Sequence, residues 1–161
     1  MNWIEEVKPD MAAIEEALRW HLSQDAEDAY DICAHLLFSP GKRIRPLLAV
    51  LSARLGGNES QSLTLASAVE YLHTATLLHD DILDDASMRR GQDTANAIWP
   101  DSWVILSGDF LLARALVLVG SLNDSKVMQK FVHFAEKIID GQLMEISFTG
   151  SLFISIESYY E

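Results

Sequence analysis

The chain has 161 residues, 49% of them apolar and 22% charged, the profile of a folded globular protein of about one domain. Its formal net charge of −12 excludes the basic footprint that nucleic-acid binding requires. It also opposes any anionic ligand, unless metal ions or local arginines reverse the field. The single cysteine, Cys33, permits no internal disulfide, fits a reducing cytoplasm and reads as a core thiol. The N-terminal stretch MNWIEEVKPD carries neither the apolar run of a secretory signal nor the arginines of a transit peptide.

In chain order, the pattern predicts helix after helix. Trp3, Val7, Met11, Ile14, Leu18 and Leu22 recur at steps of three or four, an amphipathic stripe whose intervening glutamates are expected to face water. A second helix is expected from Asp25 to Leu37, ended by Ser39-Pro40-Gly41. A third starts basic and turns apolar, from Lys42-Arg43 and Arg45 into Pro46-Leu47-Leu48, with proline suited to the first turn. Gly56-Gly57-Asn58 closes it, and Ser60 or Ser62 is expected to cap a long fourth helix. A loop then leads through Trp99-Pro100-Asp101 to helices over 102–119 and 124–148. The apolar run from Trp103 to Leu122 is broken by Asp109 and Arg114, so it reads as a buried helix and no transmembrane segment is expected. With no strand alternation, repeat or Gly/Ser linker, the expectation is an all-α antiparallel bundle in one domain, residues 1–161.

The densest chemistry lies in Glu70–Gly91, EYLHTATLLHDDILDDASMRRG. On a helix turning about 100° per residue, Asp80 and Asp84 fall about 40° apart, and His73 about 20° from Asp80 and about 10 Å below it. Carboxylates one turn apart, with Asp81 beside them, suit Mg²⁺, which keeps several waters and usually shares a substrate phosphate. Taken alone, such an aspartate run is more often a solvated face or part of a turn. Arg89 and Arg90 follow as phosphate forks, and the Gly41–Pro46 segment adds a second basic cluster.

Gly41-Lys42-Arg43-Ile44-Arg45-Pro46, then His73, Asp80-Asp81-x-x-Asp84, Arg89-Arg90-Gly91 and Gly108-Asp109-Phe110-Leu111 closely resemble the trans-type polyprenyl diphosphate synthases, most nearly the octaprenyl type. The resemblance runs over roughly 40–149 and implies the isoprenoid synthase bundle. It also implies Mg²⁺-dependent head-to-tail transfer, in which an allylic prenyl diphosphate ionises and isopentenyl diphosphate attacks. By resemblance, Asp80, Asp81 and Asp84 hold metal, and Arg89 stabilises the leaving diphosphate with Asp80 and Asp84. Lys42, Arg45, His73 and Arg90 hold isopentenyl diphosphate. Ala75 and Thr76, preceding Asp80 where bulky residues resemble a floor, imply a medium- to long-chain product. A homodimer or heterodimer is implied as well.

Two departures from the pattern stand out. Pro40-Gly41 replaces the family's usual Gly-Gly, and the sequence reaches Glu161 without a second aspartate-rich motif. The expectation is therefore an apparently truncated, N-terminal portion of the fold, weak or inactive alone. A non-catalytic or partner-dependent subunit of a heteromeric synthase is one alternative. An HD-type metal phosphohydrolase, suggested by His35, His79-Asp80 and Asp140, is another, but it leaves Lys42, Arg45 and Arg89-Arg90-Gly91 unexplained.

Overall fold

The computed structural model describes residues 3–23, 29–150, 155, 156 and 160. The chain divides into two compact units, Met1–Asn123 and Asp124–Glu161. The first holds helices α1 (Trp3–Ser23), α2 (Tyr30–Leu37), α3 (Ile44–Leu55), α4 (Ser62–Leu83), α5 (Ala95–Ile98) and α6 (Asp101–Ser121). Between α4 and α5 runs a small antiparallel ribbon, β1 (Met88–Arg89) with β2 (Gln92–Asp93). Apart from that ribbon the described residues are α-helical or connecting, so the fold is all-α as the patterning predicts.

α4 is the axis of this unit. It packs most extensively on α6 and α3 and also touches α1 and α2. That explains why its buried residues, among them the consecutive Glu70, Tyr71 and Leu72, do not keep to one stripe. Ile14, Leu18 and Leu22 of α1 are fully buried, and the Tyr71 hydroxyl donates to the Leu18 carbonyl oxygen at 2.7 Å. Burying side chains of this size contributes about 1.5–3 kcal/mol each. α6 has a mean hydropathy of 1.8 and passes the length and composition test for a membrane span. Its buried residues Val104, Gly108, Leu111, Ala115 and Leu118 nevertheless recur at helical spacing, on the element that packs most closely with α4.

Gly108 permits this approach. A Cβ built there would lie 2.4 Å from Nε2 of His79, which is itself in hydrogen-bond contact with the Ile105 carbonyl at 3.1 Å. Cys33 is buried against α6, its Sγ 3.6 Å from the Ser107 carbonyl, and burial pushes its thiol up to about 12. It is a core thiol, as the sequence suggests.

Several local expectations are corrected. Neither Ser60 nor Ser62 caps α4. A short 3₁₀ turn over Glu59–Gln61 precedes the helix, and the Ser62 hydroxyl donates to the Glu59 carbonyl at 2.7 Å instead of accepting from a helix N–H. The second helix is described from Tyr30, and positions 25–28 of the predicted span lie outside the described residues. The loop after Gly91 contains α5, too short to show periodicity.

In the second unit, α7 (Ser125–Phe148) starts at the predicted boundary. The Asp124 carboxylate caps it, accepting from the N–H groups of Lys126 at 2.8 Å and Val127 at 3.2 Å.

Candidate functional site

A pocket of about 490 Å³ opens where the loop after α2 and the first turn of α3 face the middle of α4. Lys42, Arg45, Glu70, His73 and Arg90 line it, so the structure brings together four of the basic or imidazole side chains singled out in the sequence. Arg90 comes from the ribbon. Arg90 and Gly91 occupy its two-residue turn with φ of 53° and 80°, and the Arg90 guanidinium donates to the Pro40 carbonyl at 3.2 Å. Positive φ at both central residues is the geometry that lets a two-residue hairpin follow the strand twist. A Cβ at Gly41 would come within 3.3 Å of the Arg90 guanidinium and 3.4 Å of that of Arg43, so a small residue suits this crowded rim. His73 is held neutral, its pKa lowered to about 4 first by burial and then by the fields of Arg45, Arg90, Arg89 and Arg43.

Arg43 was read from the sequence merely as part of a basic cluster, yet it is the buried residue of its loop, with a side chain 7% exposed. Its guanidinium donates to Glu15 at 2.6 Å, to Glu70 at 3.0 Å and to the Leu37 carbonyl. Glu15 thus does not simply face water, as the amphipathic pattern of α1 predicts. The Arg43 backbone is left-handed, with φ 49° and ψ 32°, a conformation costing a non-glycine residue about 1–2 kcal/mol. The charge-assisted hydrogen bonds offset that cost. A sequence signal existed: Glu70 lies within the apolar run Ala68-Val69-Glu70-Tyr71-Leu72, and a buried carboxylate requires a cationic partner.

Two turns along α4 lies the acidic end. Asp80 is half-buried and Asp84, the C-cap residue, is exposed. Asp81 does not join them. It is 1% exposed, and its Oδ1 accepts from Nε of Arg89 at 2.8 Å and lies 2.7 Å from a terminal guanidinium nitrogen in the same ion pair. Its Oδ2 is buried without a hydrogen-bond partner. The Arg89 pKa is raised from its ordinary value, first by this hydrogen bond, and the charges of Asp81, Asp80 and Asp84 add to the effect. Its field also reaches His73, so Arg89 stands electrostatically between the acidic end and the pocket.

The helix end itself is a C-terminal motif. Asp85, at φ 50°, takes the left-handed position usually given to glycine. The Asp85 N–H bonds the Ile82 carbonyl at 3.2 Å and that of Ala86 bonds the Asp81 carbonyl at 2.9 Å. Carboxylates at the negative end of a helix dipole make a field that favours a cation. The donor set fits a hard divalent ion such as Mg²⁺, with Asp80 and Asp84 as ligands and the remaining positions left to water and phosphate oxygens. It does not form a closed cage: among the described residues no three His, Cys, Asp or Glu are grouped so as to hold an ion by themselves. The HD-type hydrolase reading, which needs such a group, loses its support. Its His35 contacts the Asp93 carbonyl at 2.8 Å and the edge of Trp99, and serves the ribbon. Of the two residues before Asp80 tied to product length, Ala75 is buried at 2% exposure, and Thr76 is half-buried with its hydroxyl bonded to the His73 carbonyl at 2.8 Å.

The family model described as polyprenyl synthetase matches residues 26–161. The chain belongs to the polyprenyl synthetase family. It is 36% identical over 151 residues to the octaprenyl diphosphate synthase of Escherichia coli, covering 93% of this chain and 47% of that protein. It is 41% identical over 155 residues to the nonaprenyl diphosphate synthase of Mycobacterium tuberculosis, covering 95% and 46%. The crystal structure of a polyprenyl synthase from Caulobacter crescentus, complexed with calcium and isoprenyl diphosphate, superposes with a TM-score of 0.89 at 34% identity, over 97% of this chain and 48% of that one. The fold is that of the isoprenoid synthases. The chain spans about half the length of the curated polyprenyl synthetase relatives it matches.

Proposed function

We propose that this chain binds the two diphosphate substrates of a trans-prenyltransferase making medium- to long-chain products. Isopentenyl diphosphate occupies the basic pocket, and an allylic prenyl diphosphate lies at the acidic end of α4. The observation that carries the reading is the arrangement along α4: a pocket built of Lys42, Arg45, His73 and Arg90, and two turns on a carboxylate pair faced by Arg89. Consecutive arginines thus serve two neighbouring anions of opposite fate, one retained and one expelled.

In the reaction the allylic C–O bond breaks with its electron pair leaving on diphosphate. The double bond of isopentenyl diphosphate supplies the pair for the new C–C bond, and the resulting cation loses a proton. Asp80 and Asp84 would hold Mg²⁺, which when bound supplies positive charge against the departing diphosphate. Arg89, oriented by Asp81, adds a fixed donor to the same leaving group. Asp81 is thereby assigned as the anchor of Arg89 and not as a metal ligand. Neutral His73 contributes a hydrogen bond to the other diphosphate, while Lys42, Arg45 and Arg90 contribute charge.

Titration calorimetry with farnesyl diphosphate and Mg²⁺ tests this. The combined Asp80→Ala and Asp84→Ala changes are expected to abolish the Mg²⁺-dependent part of binding. Equal binding by parent and variant, or no response to chelator, would sink the reading. For product length, half-buried Thr76 is the informative position, because a bulky residue at buried Ala75 would overpack the core. In an active assembly Thr76→Phe should shorten the products, and an unchanged distribution removes that part of the proposal.

A further inference from the structure

Between the exposed cations Lys42 and Arg45 the chain turns inward at Arg43, and three helices take hold of it there: α1 through Glu15, the end of α2 through the Leu37 carbonyl, and α4 through Glu70. We propose that Arg43 is a positioning residue that holds its loop so that Lys42 and Arg45 face the same diphosphate. This rests on the reading of the pocket given above. Arg43 lines the pocket, but each of its three guanidinium nitrogens already donates to a protein acceptor, so its planar fork is committed to the protein and not to a phosphate. Its left-handed backbone sits at the N-cap of α3, and Gly41 two residues before leaves room beside Arg90. Without the clamp nothing in the loop itself enforces a left-handed arginine, because that conformation is disfavoured for residues with a Cβ. The loop would relax toward ordinary backbone angles and its two exposed cations would separate. Lysine cannot substitute, since a single ammonium lacks the planar fork that spans acceptors from three helices.

Glu15 gives the clamp a test with opposed signs. It is not among the residues that line the pocket, and it accepts from Nε of Arg43. Removing its charge would strengthen anion binding if charge alone mattered, or if Arg43 were freed to bind phosphate. It weakens binding if Arg43 works by being held.

The experiment is calorimetry of isopentenyl diphosphate on the 161-residue chain, with circular dichroism and thermal melts to confirm that each variant is folded. Arg43→Gln and Arg43→Lys are each expected to weaken binding about tenfold, the scale of losing charge-assisted hydrogen bonds. Glu15→Gln should weaken it by a smaller factor of the same sign. A double-mutant cycle separates positioning from general destabilisation. Lys42→Gln should cost much less affinity in the Arg43→Gln background than in the parent, whereas a merely structural effect gives additive losses. Should the Arg43 variants fail to fold, the cycle is run with Glu15→Gln, and additive losses there overturn the proposal. Tighter binding by Glu15→Gln, or parental affinity in folded Arg43 variants while Lys42→Gln weakens binding, overturns it and leaves the pocket reading standing. A parent that binds no isopentenyl diphosphate overturns both.

Discussion

Asp80, Asp81, Asp84 and Asp85 follow one another over little more than a helical turn, yet they meet three environments. Asp81 is buried against Arg89, Asp85 supplies a left-handed helix end, and Asp80 and Asp84 remain as the pair on the accessible face. Spacing alone separates them in part, since Asp81 stands about 100° around the helix from Asp80. The separation predicts different phenotypes. Asp81→Asn should lower stability by about 1.5–3 kcal/mol, because it removes the charged acceptor of a part-buried guanidinium. Asp84→Asn should leave stability unchanged or slightly higher, since it relieves negative charge at a helix C-terminus, while weakening Mg²⁺-dependent binding. Urea denaturation with parallel calorimetry checks both, and matched effects at the two positions would contradict the assignment. His73 predicts a pH dependence. Its folded pKa of about 4 lies below the ordinary 6.5, so unfolding takes up a proton between those values. Its contribution is complete above about pH 6.5 and is lost as pH falls toward 4. The parent should therefore lose more stability than His73→Gln between pH 6.5 and 4.5. Bound diphosphate, by offsetting the arginine fields, should narrow that difference.

At the level of elements, the contact between α4 and α6 depends on one missing methyl group. Gly108→Ala would place a Cβ 2.4 Å from the His79 ring, which must swing out and give up its contact with the Ile105 carbonyl. A loss of about 1–3 kcal/mol is expected in thermal or chemical denaturation. Adding His79→Ala should restore part of it, and simple additivity would show that the ring is not the obstacle. The helices were legible because long amphipathic or buried segments repeat their signal over several turns, as in the stripe Ile14, Leu18, Leu22. What escaped was short or inward. The ribbon has two residues per strand, too few for alternation, although Arg90-Gly91 carried a turn glycine. Ser62 has the look of a cap, but its hydroxyl bonds the carbonyl of the preceding turn. Arg43 passed as surface charge because its partners, Glu15 and Glu70, are distant in sequence and no local pattern links them. Lys42, Arg45, His73 and Arg90 come from three segments that no local pattern links, so in the sequence only the family resemblance groups them, and the packing of α3, α4 and the ribbon brings them to one pocket.

For the molecule as a whole, charge decides what these 161 residues can accomplish. A net charge of −12 repels diphosphates at long range, so the proposed capture requires the local arginines and a metal ion held at the acidic end of α4. On the proposed reading Asp80 and Asp84 would hold such an ion and share it with substrate, but they belong to one helix end and would address the leaving group from one side. The family resemblance assigns a second aspartate-rich motif to complete the clamp, and the described residues of this chain contain no further cluster able to hold a metal. Each tenfold change in rate corresponds to about 1.4 kcal/mol of transition-state stabilisation, and a bound metal contributes several kcal/mol. The 161-residue chain assayed alone with farnesyl diphosphate, isopentenyl diphosphate and Mg²⁺ should thus elongate at least about a hundredfold more slowly than the same chain mixed with one that supplies the second motif. Binding of each diphosphate to the isolated chain should survive, which separates a half-built active centre from an unfolded protein. A product ladder from the mixture and none from either component supports a divided or partner-dependent synthase. Vigorous elongation by the isolated chain would show that one carboxylate pair with Arg89 suffices, and would return the missing charge to residues of this sequence.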